Sequence, residues 1–389
     1  MPAANTRTAS STPAIFSPRM ATQPTPPEPD PAHEPGLTRF HHLPTDVLQH
    51  IFFHLPLHHV AATRSVCKSF NAALSSPVFL ETLPPLHLLA LRRPHISAVH
   101  AYDPSHDRWL RFPLDFLPCS SAVPVASSRG VLYLWSHSDS SSSLVLCNPL
   151  TRRHRVLPRL GSAWSRHGTV LVSTAGHVIV LSELAALYFS GDRWMKFSSN
   201  LPSKPRSPVV VADRVFALCD IGNPWRSDWK LFSCKFSDFG RSQPHLWDRL
   251  ERHEWGDVFD ILKRPRLVCG AGNRVFMVGG LKLSSALNSS CSTILILRLD
   301  VESLEWDEAG RMPDEMFGFF QESTKFKVFG GGRRVWFSGK RISRRLAMCD
   351  CSEAAGRKGI WSWVEGVPGN GADGLCRGFV LDATLSAVP

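Results

Sequence analysis

The chain has 389 residues, room for a small module and one large domain, and its 43% hydrophobic and 20% charged residues are an ordinary globular composition. Its apolar runs, such as residues 144–147 and 294–297, are strand-length and far below the roughly 20 residues that span a bilayer, so no membrane partner is expected. The net charge of +11 belongs to the large domain: residues 1–80 hold five Lys and Arg against four Asp and Glu, leaving 39 against 29 for residues 81–389.

Residues 1–37 are rich in Pro, Thr, Ser and Ala and have almost no bulky apolar side chains, so they cannot bury enough surface to fold. A disordered tail is expected. Before Glu28 the tail holds Arg7, Arg19 and no acid, a composition that also suits an organelle transit peptide.

A helical module follows. Pro44 suits a helix start, Thr45 and Asp46 sit where orphan amides need an acceptor, and Val47, Leu48, Ile51, Phe52 and Leu55 recur at helical spacing until Leu55-Pro56 ends the run. A second helical stretch over residues 57–74 carries Leu57, Val60, Val66, Cys67, Phe70 and Leu74, and Ser75-Ser76-Pro77 is expected to close it. About forty residues cannot bury so much apolar surface in a core of their own, so part of it should pack on another domain or another chain. Periodicity alone leaves both a helical cap on the large domain and a partner-docking module open. The residue pattern separates them: Leu43-Pro44, Val47-Leu48, Ile51, Leu55-Pro56 and Val66-Cys67-Lys68 resemble the F-box family position by position. That resemblance implies that residues 38–82 dock on the Skp1 subunit of a cullin-based ubiquitin ligase. It assigns the contact to Leu43, Pro44, Val47, Leu48, Ile51, Phe52, Leu55, Pro56, Val66, Cys67 and Lys68. His50 and His54 share a helix face, but without the Glu of HExxH or a third ligand they are expected to cap or solvate it.

Residues 83–389 read as all-β. One unit, a turn followed by an apolar strand, recurs at Arg129-Gly130-Val131, Gly176-His177-Val178, Asp213-Arg214-Val215, Asn273-Arg274-Val275 and Arg333-Arg334-Val335, roughly 40 to 60 residues apart, the period of propeller blades. Short strands flank each copy, and a fourth strand tends to carry an aromatic, at Trp194, Trp247, Trp306 and Trp361 or Trp363. The chain enters with residues 98–102 and 109–112, which read as the third and fourth strands of a blade. Phe379-Val380-Leu381 near the end reads as an inner strand able to complete that blade and remove its open edge. With Gly279-Gly280, Tyr102-Asp103-Pro104, Cys147-Asn148-Pro149 and Met312-Pro313, the domain resembles a degenerate kelch propeller, and the whole chain resembles the plant F-box/kelch family. The expected fold is a small all-α F-box module followed by an all-β kelch-like propeller of six blades.

Chemistry-bearing motifs are scarce. The ten cysteines form no CxxC and mostly lie in apolar runs, as small buried hydrophobes of a reducing compartment would. Cys349-Asp350-Cys351 lacks further zinc ligands at suitable spacing. A copper-radical oxidase on a kelch propeller would need tyrosine and histidine ligands and a cross-linked cysteine, whereas Tyr102, Tyr133 and Tyr188 all fall inside expected strands. No nucleophile elbow, Walker loop or Rossmann fingerprint is present, so no catalytic residue, metal or cofactor is expected.

Recognition remains, and loops on a rigid ring suit it. Residues 137–143, 221–229, 286–292 and 353–359 are the candidate loops. Within them Trp225 beside Arg226 is either a substrate contact of hot-spot composition or a packed loop. Arg152-Arg153 with Arg155 and Arg159, Lys263-Arg264 with Arg266, and Lys340-Arg341 with Arg344-Arg345 suit a solvated surface or an acidic protein partner, and no nucleic-acid motif accompanies them. The family resemblance implies a substrate-recognition adaptor in nucleus or cytoplasm, tied by Skp1 to cullin and binding a target protein for ubiquitination. The alternative is a transcriptional co-regulator that binds a DNA-binding protein independently of degradation.

Overall fold

A computed structural model of the chain describes residues 43–93, 97–119, 121–137, 141–240, 247–283, 291–321, 326–342, 344–353, 359–369 and 375–389. The N-terminal tail, and parts of the candidate loops at 137–143, 286–292 and 353–359, lie outside these residues. Four helices lead the chain: α1 (Thr45–Phe53), α2 (Leu57–Thr63), α3 (Lys68–Leu74) and α4 (Pro77–Thr82). The helical stretch expected over residues 57–74 is therefore two helices. Cys67 takes an extended conformation (φ −155°, ψ 166°) and its Sγ accepts the Phe70 amide at 3.4 Å, which starts α3 afresh. Ser75-Ser76-Pro77 closes that stretch as expected, α3 ending at Leu74 with Ser75 as its C-cap, and Pro77 then opens a further helix, α4, where its missing N–H would have been unpaired anyway. Leu48, Phe52, Leu57, Val60, Ala73, Leu74 and Phe79 make the helical core, and Gln49 Nε2 ties α1 to α3 by donating to the Ala73 carbonyl at 2.7 Å.

Six antiparallel sheets follow. Blade 1 joins β1 (Leu86–Arg92), β2 (Ala98–Asp103) and β3 (Arg108–Pro113) to the last strand, β25 (Arg377–Ala383), in the order β25-β1-β2-β3. Blade 2 holds β4 (Ala122–Ser128), β5 (Val131–His137), β6 (Ser141–Asn148) and β7 (Arg153–Val156), with β8 (Leu160–Gly161) also on β6. Blade 3 is β9 (Thr169–Val172), β10 (Val178–Leu181), β11 (Ala185–Ser190) and β12 (Arg193–Ser198). Blade 4 is β13 (Arg206–Val211), β14 (Arg214–Asp220), β15 (Trp229–Lys235) and β16 (Asp248–Leu250). Blade 5 is β17 (Leu262–Cys269), β18 (Arg274–Lys282), β19 (Cys291–Asp300) and β20 (Trp306–Arg311), and blade 6 is β21 (Phe326–Gly331), β22 (Arg334–Gly339), β23 (Leu346–Asp350) and β24 (Ile360–Val364). Between them lie α5 (Ser162–His167) and α6 (Asp314–Gln321).

The six-bladed ring and its completion by the chain's last strand match the expectation, with one correction. The N-terminal part of blade 1 contributes three strands, not two. Residues 86–92 carry no turn-plus-alternation signal because β1 has four consecutive buried residues and its inner partner, β25, comes from the other end of the chain. The inner strands β25, β4, β9, β13, β17 and β21 neighbour one another around the ring.

The hydrophobic core is divided among the seams. Leu89, Leu91 and Tyr102 of blade 1 pack with Phe329, Trp336 and Leu346 of blade 6. Five comparable clusters fill the other seams. Because strands alternate in direction, one rim carries the first-to-second and third-to-fourth turns of every blade. The opposite rim carries the second-to-third loops and the connections between blades. The helical module enters at the first, here the F-box rim, where β1 begins and β25 ends.

Candidate functional surfaces

The helical module divides its apolar residues between a core and a surface. On α1, Leu48 and Phe52 are buried, whereas Val47 and Ile51, one turn apart on another face, are exposed at 39% and 42%. Leu55 is exposed, as is Val66, at 68%, in the α2–α3 turn. Pro44, Pro56 and Lys68 are exposed, and Leu43 and Cys67 are half-buried. Two further exposed apolar side chains, Phe53 and Val78, belong to the same module and lie outside the LP-to-VCK pattern. The Ser69 hydroxyl, 3.2 Å from Cys67 Sγ, and the Phe70 amide hold the Cys67 thiol below its ordinary pKa.

One polar contact given by the structure runs from the propeller to the module. Arg108 Nη2, at the start of β3, donates to His58 Nδ1 at 3.4 Å, while its Nε lies 3.5 Å from the fully buried Asp103 carboxylate. Burial, then Arg108 and His59, push the His58 imidazole below its ordinary pKa, as an acceptor of the Arg108 proton requires. Arg64 donates to Ser75 Oγ at 2.8 Å, and burial together with Arg153 of β7 lowers its pKa.

The opposite rim, here the loop rim, carries the exposed apolar surface of the propeller. Among the described residues, Val156, Leu184, Ile221, Trp225, Ile261, Leu283 and Phe319 are exposed there, against Ile360 and Val388 at the F-box rim. Trp225 is 81% exposed, so the packed-loop reading of residues 221–229 is replaced by an ordered loop that holds an indole outward. Asn223 Oδ1 accepts the Trp225 and Arg226 amides at 3.0 and 2.8 Å, and Asp220 Oδ1 accepts those of Gly222 and Asp228 at 3.1 and 2.9 Å. A Cβ on Gly222 would stand 2.0 Å from the Arg226 carbonyl oxygen, so the tight fold of the loop requires glycine there. Arg226 is exposed and lies 3.6 Å from Asp260. The end of β23 at Asp350 and the start of β24 at Ile360 lie at the F-box rim, whereas the loop at 221–229 lies at the loop rim.

A model of the F-box domain matches residues 40–82, and one described as the KIB1-4 beta-propeller matches residues 101–328. The chain belongs to the F-box/kelch-type propeller family. This F-box/kelch chain is 57% identical over 375 residues to SKP1-interacting partner 15 of Arabidopsis thaliana, covering 89% of this chain and 98% of that protein. It is 28% identical over 301 residues to an F-box/kelch-repeat protein of Arabidopsis thaliana, covering 70% and 69% of the two chains. To the Protein UNUSUAL FLORAL ORGANS of the same plant it is 24% identical over 403 residues, covering 88% and 85%.

Among the described residues of this F-box/kelch protein no three His, Cys, Asp or Glu side chains are grouped to hold a metal. Cys349 and Cys351 have their sulfurs 3.6 Å apart in a buried hydrogen bond, and neighbouring Cys351 and burial push the Cys349 thiol far up. Burial likewise pushes Cys147 up to about 12 and Cys269 up to about 11. These thiols pack as apolar groups.

Proposed function

We propose that this F-box/kelch protein is the substrate-recognition adaptor of an SCF-type E3 ubiquitin ligase, working in nucleus or cytoplasm, with its helical module on a Skp1-like subunit and its propeller on a target protein. The observation that carries the reading is the exposed apolar set Val47, Ile51, Leu55 and Val66 on a module whose own core is already filled by Leu48, Phe52, Leu74 and Phe79. Exposed apolar surface of this kind marks a partner site. In this reading Val47, Ile51, Leu55, Pro56, Val66 and Lys68 touch the partner, and Leu48 and Phe52 support them from inside. The relative named for interaction with SKP1 aligns along nearly its whole length.

The adaptor contributes proximity. With the ligase at the F-box rim and the target at the loop rim, a target lysine is held near the ubiquitin-charged enzyme, and the transfer becomes effectively intramolecular. The test is capture of the full chain by an immobilised Skp1-like protein. Ile51→Asp with Val66→Asp should lower capture at least tenfold with an unchanged melting temperature, since both side chains are exposed. Undiminished capture by the double variant would sink the reading.

A further inference from the structure

The mouth of the central channel at the loop rim is ringed by arginines. Arg206 is the first residue of β13 and Arg377 the first of β25, and both inner strands start at that rim. Arg264 and Arg266 lie in the opening half of β17, a third inner strand. Arg92 ends β1 and pairs in register with Arg377, which puts it at the same level. Blades 1, 4 and 5 thus place five arginines toward the loop-rim ends of their inner or adjoining strands, near enough for Arg266 to feel Arg206, Arg264 and Arg377.

The backbone is bent where it delivers them. In β13 the register to β14 shifts between Arg206 and Val209, with Ser207 at φ 45°, and in β17 the register to β18 shifts between Lys263 and Arg266, with Arg264 at φ 54°. Pro208 and Pro265 occupy the two irregularities. Bulges of this kind re-aim side chains, and left-handed backbone at non-glycine residues is retained where the surroundings over-determine it.

Arg92, Arg266 and Arg377 are crowded and under-compensated. Burial, and then Arg206, Arg377 and Arg264, lower Arg266 to about 10, and Arg377 adds to the burial that lowers Arg92. Among the described residues no carboxylate forms an ion pair with Arg92, Arg266 or Arg377, and Arg266 Nε is buried without a hydrogen-bond partner. Arg206 has softer company, with its guanidinium 5.0 Å from the Trp229 ring centroid and Asp220 acting on it. Like charges brought together in a partly desolvated funnel destabilise the fold unless an anion joins them.

We propose that this arginine-ringed mouth binds an acidic segment of the target protein, taking its carboxylate or phosphate groups between Arg206, Arg266 and Arg377. The planar, always-charged guanidinium reads both anions in a bidentate fashion. A peptide is favoured over a small anion by what borders the mouth: blade 4, which supplies Arg206, also supplies exposed Ile221 and Trp225 from its second-to-third loop, and Ile261 precedes β17. A ligand carrying both acidic and apolar side chains matches that surface. The site rests on the adaptor reading only for its occupant being a ligase target.

The test uses the full chain with its Skp1-like partner and a fluorescein-labelled oligo-glutamate peptide with one central leucine, followed by anisotropy. Binding that weakens with added salt and falls at least tenfold when every Glu becomes Gln is expected. Arg266→Gln with Arg377→Gln should weaken it at least tenfold while the melting temperature holds or rises, because repulsion is relieved. Arg152→Gln with Arg153→Gln, at the F-box rim, should change it less than twofold. The inference is overturned if the channel-mouth pair retains wild-type affinity, if both pairs lose affinity equally, or if the channel-mouth pair lowers the melting temperature, which would make these arginines structural. It is also overturned if inorganic phosphate protects the protein thermally while no peptide binds. A phosphoserine version binding at least tenfold tighter would assign phosphate as the anion, and equal binding would assign carboxylate; either upholds the site. Skp1 capture is scored separately, so a protein that binds peptide but fails capture removes the adaptor reading and leaves the site standing.

Discussion

Arg108 touches both the propeller and the helical module. Its Nε meets the buried Asp103 carboxylate, which also accepts the Ser105 amide at 3.0 Å and lies 2.8 Å from His106 Nδ1. Its Nη2 reaches His58 on the helical module. Since His58 must be neutral to accept, and its pKa is lowered on folding, the unfolded chain takes up the proton first. The contribution of this contact is therefore intact above the ordinary histidine value near 6.5 and is lost as pH falls below it. Melting temperatures of wild type and His58→Gln, compared from about pH 7.5 to about pH 5.5, check this. A glutamine carbonyl accepts from Arg108 at any pH, so wild type should lose stability relative to the variant on acidification. A pH-independent difference would refute the assignment.

The same economy of contacts recurs at the level of the element. Trp109 and Trp194, on the fourth strands of blades 1 and 3, and Trp247, directly before that of blade 4, each send an indole N–H to a carbonyl just past the end of the preceding blade: Glu365 at 2.9 Å, Pro158 at 3.0 Å and Ser199 at 2.7 Å. Part of the aromatic period visible in the sequence, Trp194 and Trp247, is thus explained as interblade ties, whereas the Trp306 and Trp361 indole nitrogens are buried without a hydrogen-bond partner and those rings serve by packing. Trp194→Phe, which keeps most of the ring and removes the donor, should cost about 1 kcal/mol in urea unfolding, and no change would show that solvent replaces the bond without loss. Arg-Val opens the second strands of blades 4, 5 and 6, and in blades 5 and 6 it has a similar explanation. Arg274 and Arg334 pair in register with Asp300 and Asp350, the last residues of the third strands, and form ion pairs with them. Those aspartates also accept amides of the turn that follows, as Asp103 and Asn148 do in their blades. In the sequence Asp103 and Asn148 stand out because a proline follows each, whereas Asp300 and Asp350 lack that mark. The helices divide along the same line. The proline-flanked start and end of α1 are legible from composition, but the break between α2 and α3 lies in Arg64-Ser65-Val66-Cys67, which holds no glycine or proline and depends on a cysteine acting as a cap. Which apolar residues of α1 face outward is likewise a matter of packing: Leu48 and Ile51 look equivalent until α3 covers one of them.

For the whole molecule, the decisive step is closure of a ring whose first blade is assembled from both chain ends. The period of the repeats and the apolar Phe379-Val380-Leu381 make this closure readable from sequence. The arginine-ringed mouth is not readable, because it gathers residues from positions 92 to 377 that only the ring brings together. β25 is held along its whole length by β1 and by the neighbouring inner strands β21 and β4. Beyond it, Asn148, fully buried at the end of β6, donates through Nδ2 to the Thr384 and Ala387 carbonyls, both at 2.9 Å, while its Oδ1 accepts the Leu150 and Thr151 amides. One side chain thereby fastens both the turn of blade 2 and the chain's end. Asn148→Ala leaves half-buried carbonyls and amides without their partner and should destabilise the protein by about 2–4 kcal/mol. The loss should be directional: ring closure is the least local set of contacts, so in hydrogen exchange the amides of β25 and β1 should become labile in the variant while those of β10 and β14, in blades built from consecutive chain, keep their protection. Uniform loss of protection across all six blades would mean that the propeller opens only as a whole and that its seam is no weaker than its other interblade contacts.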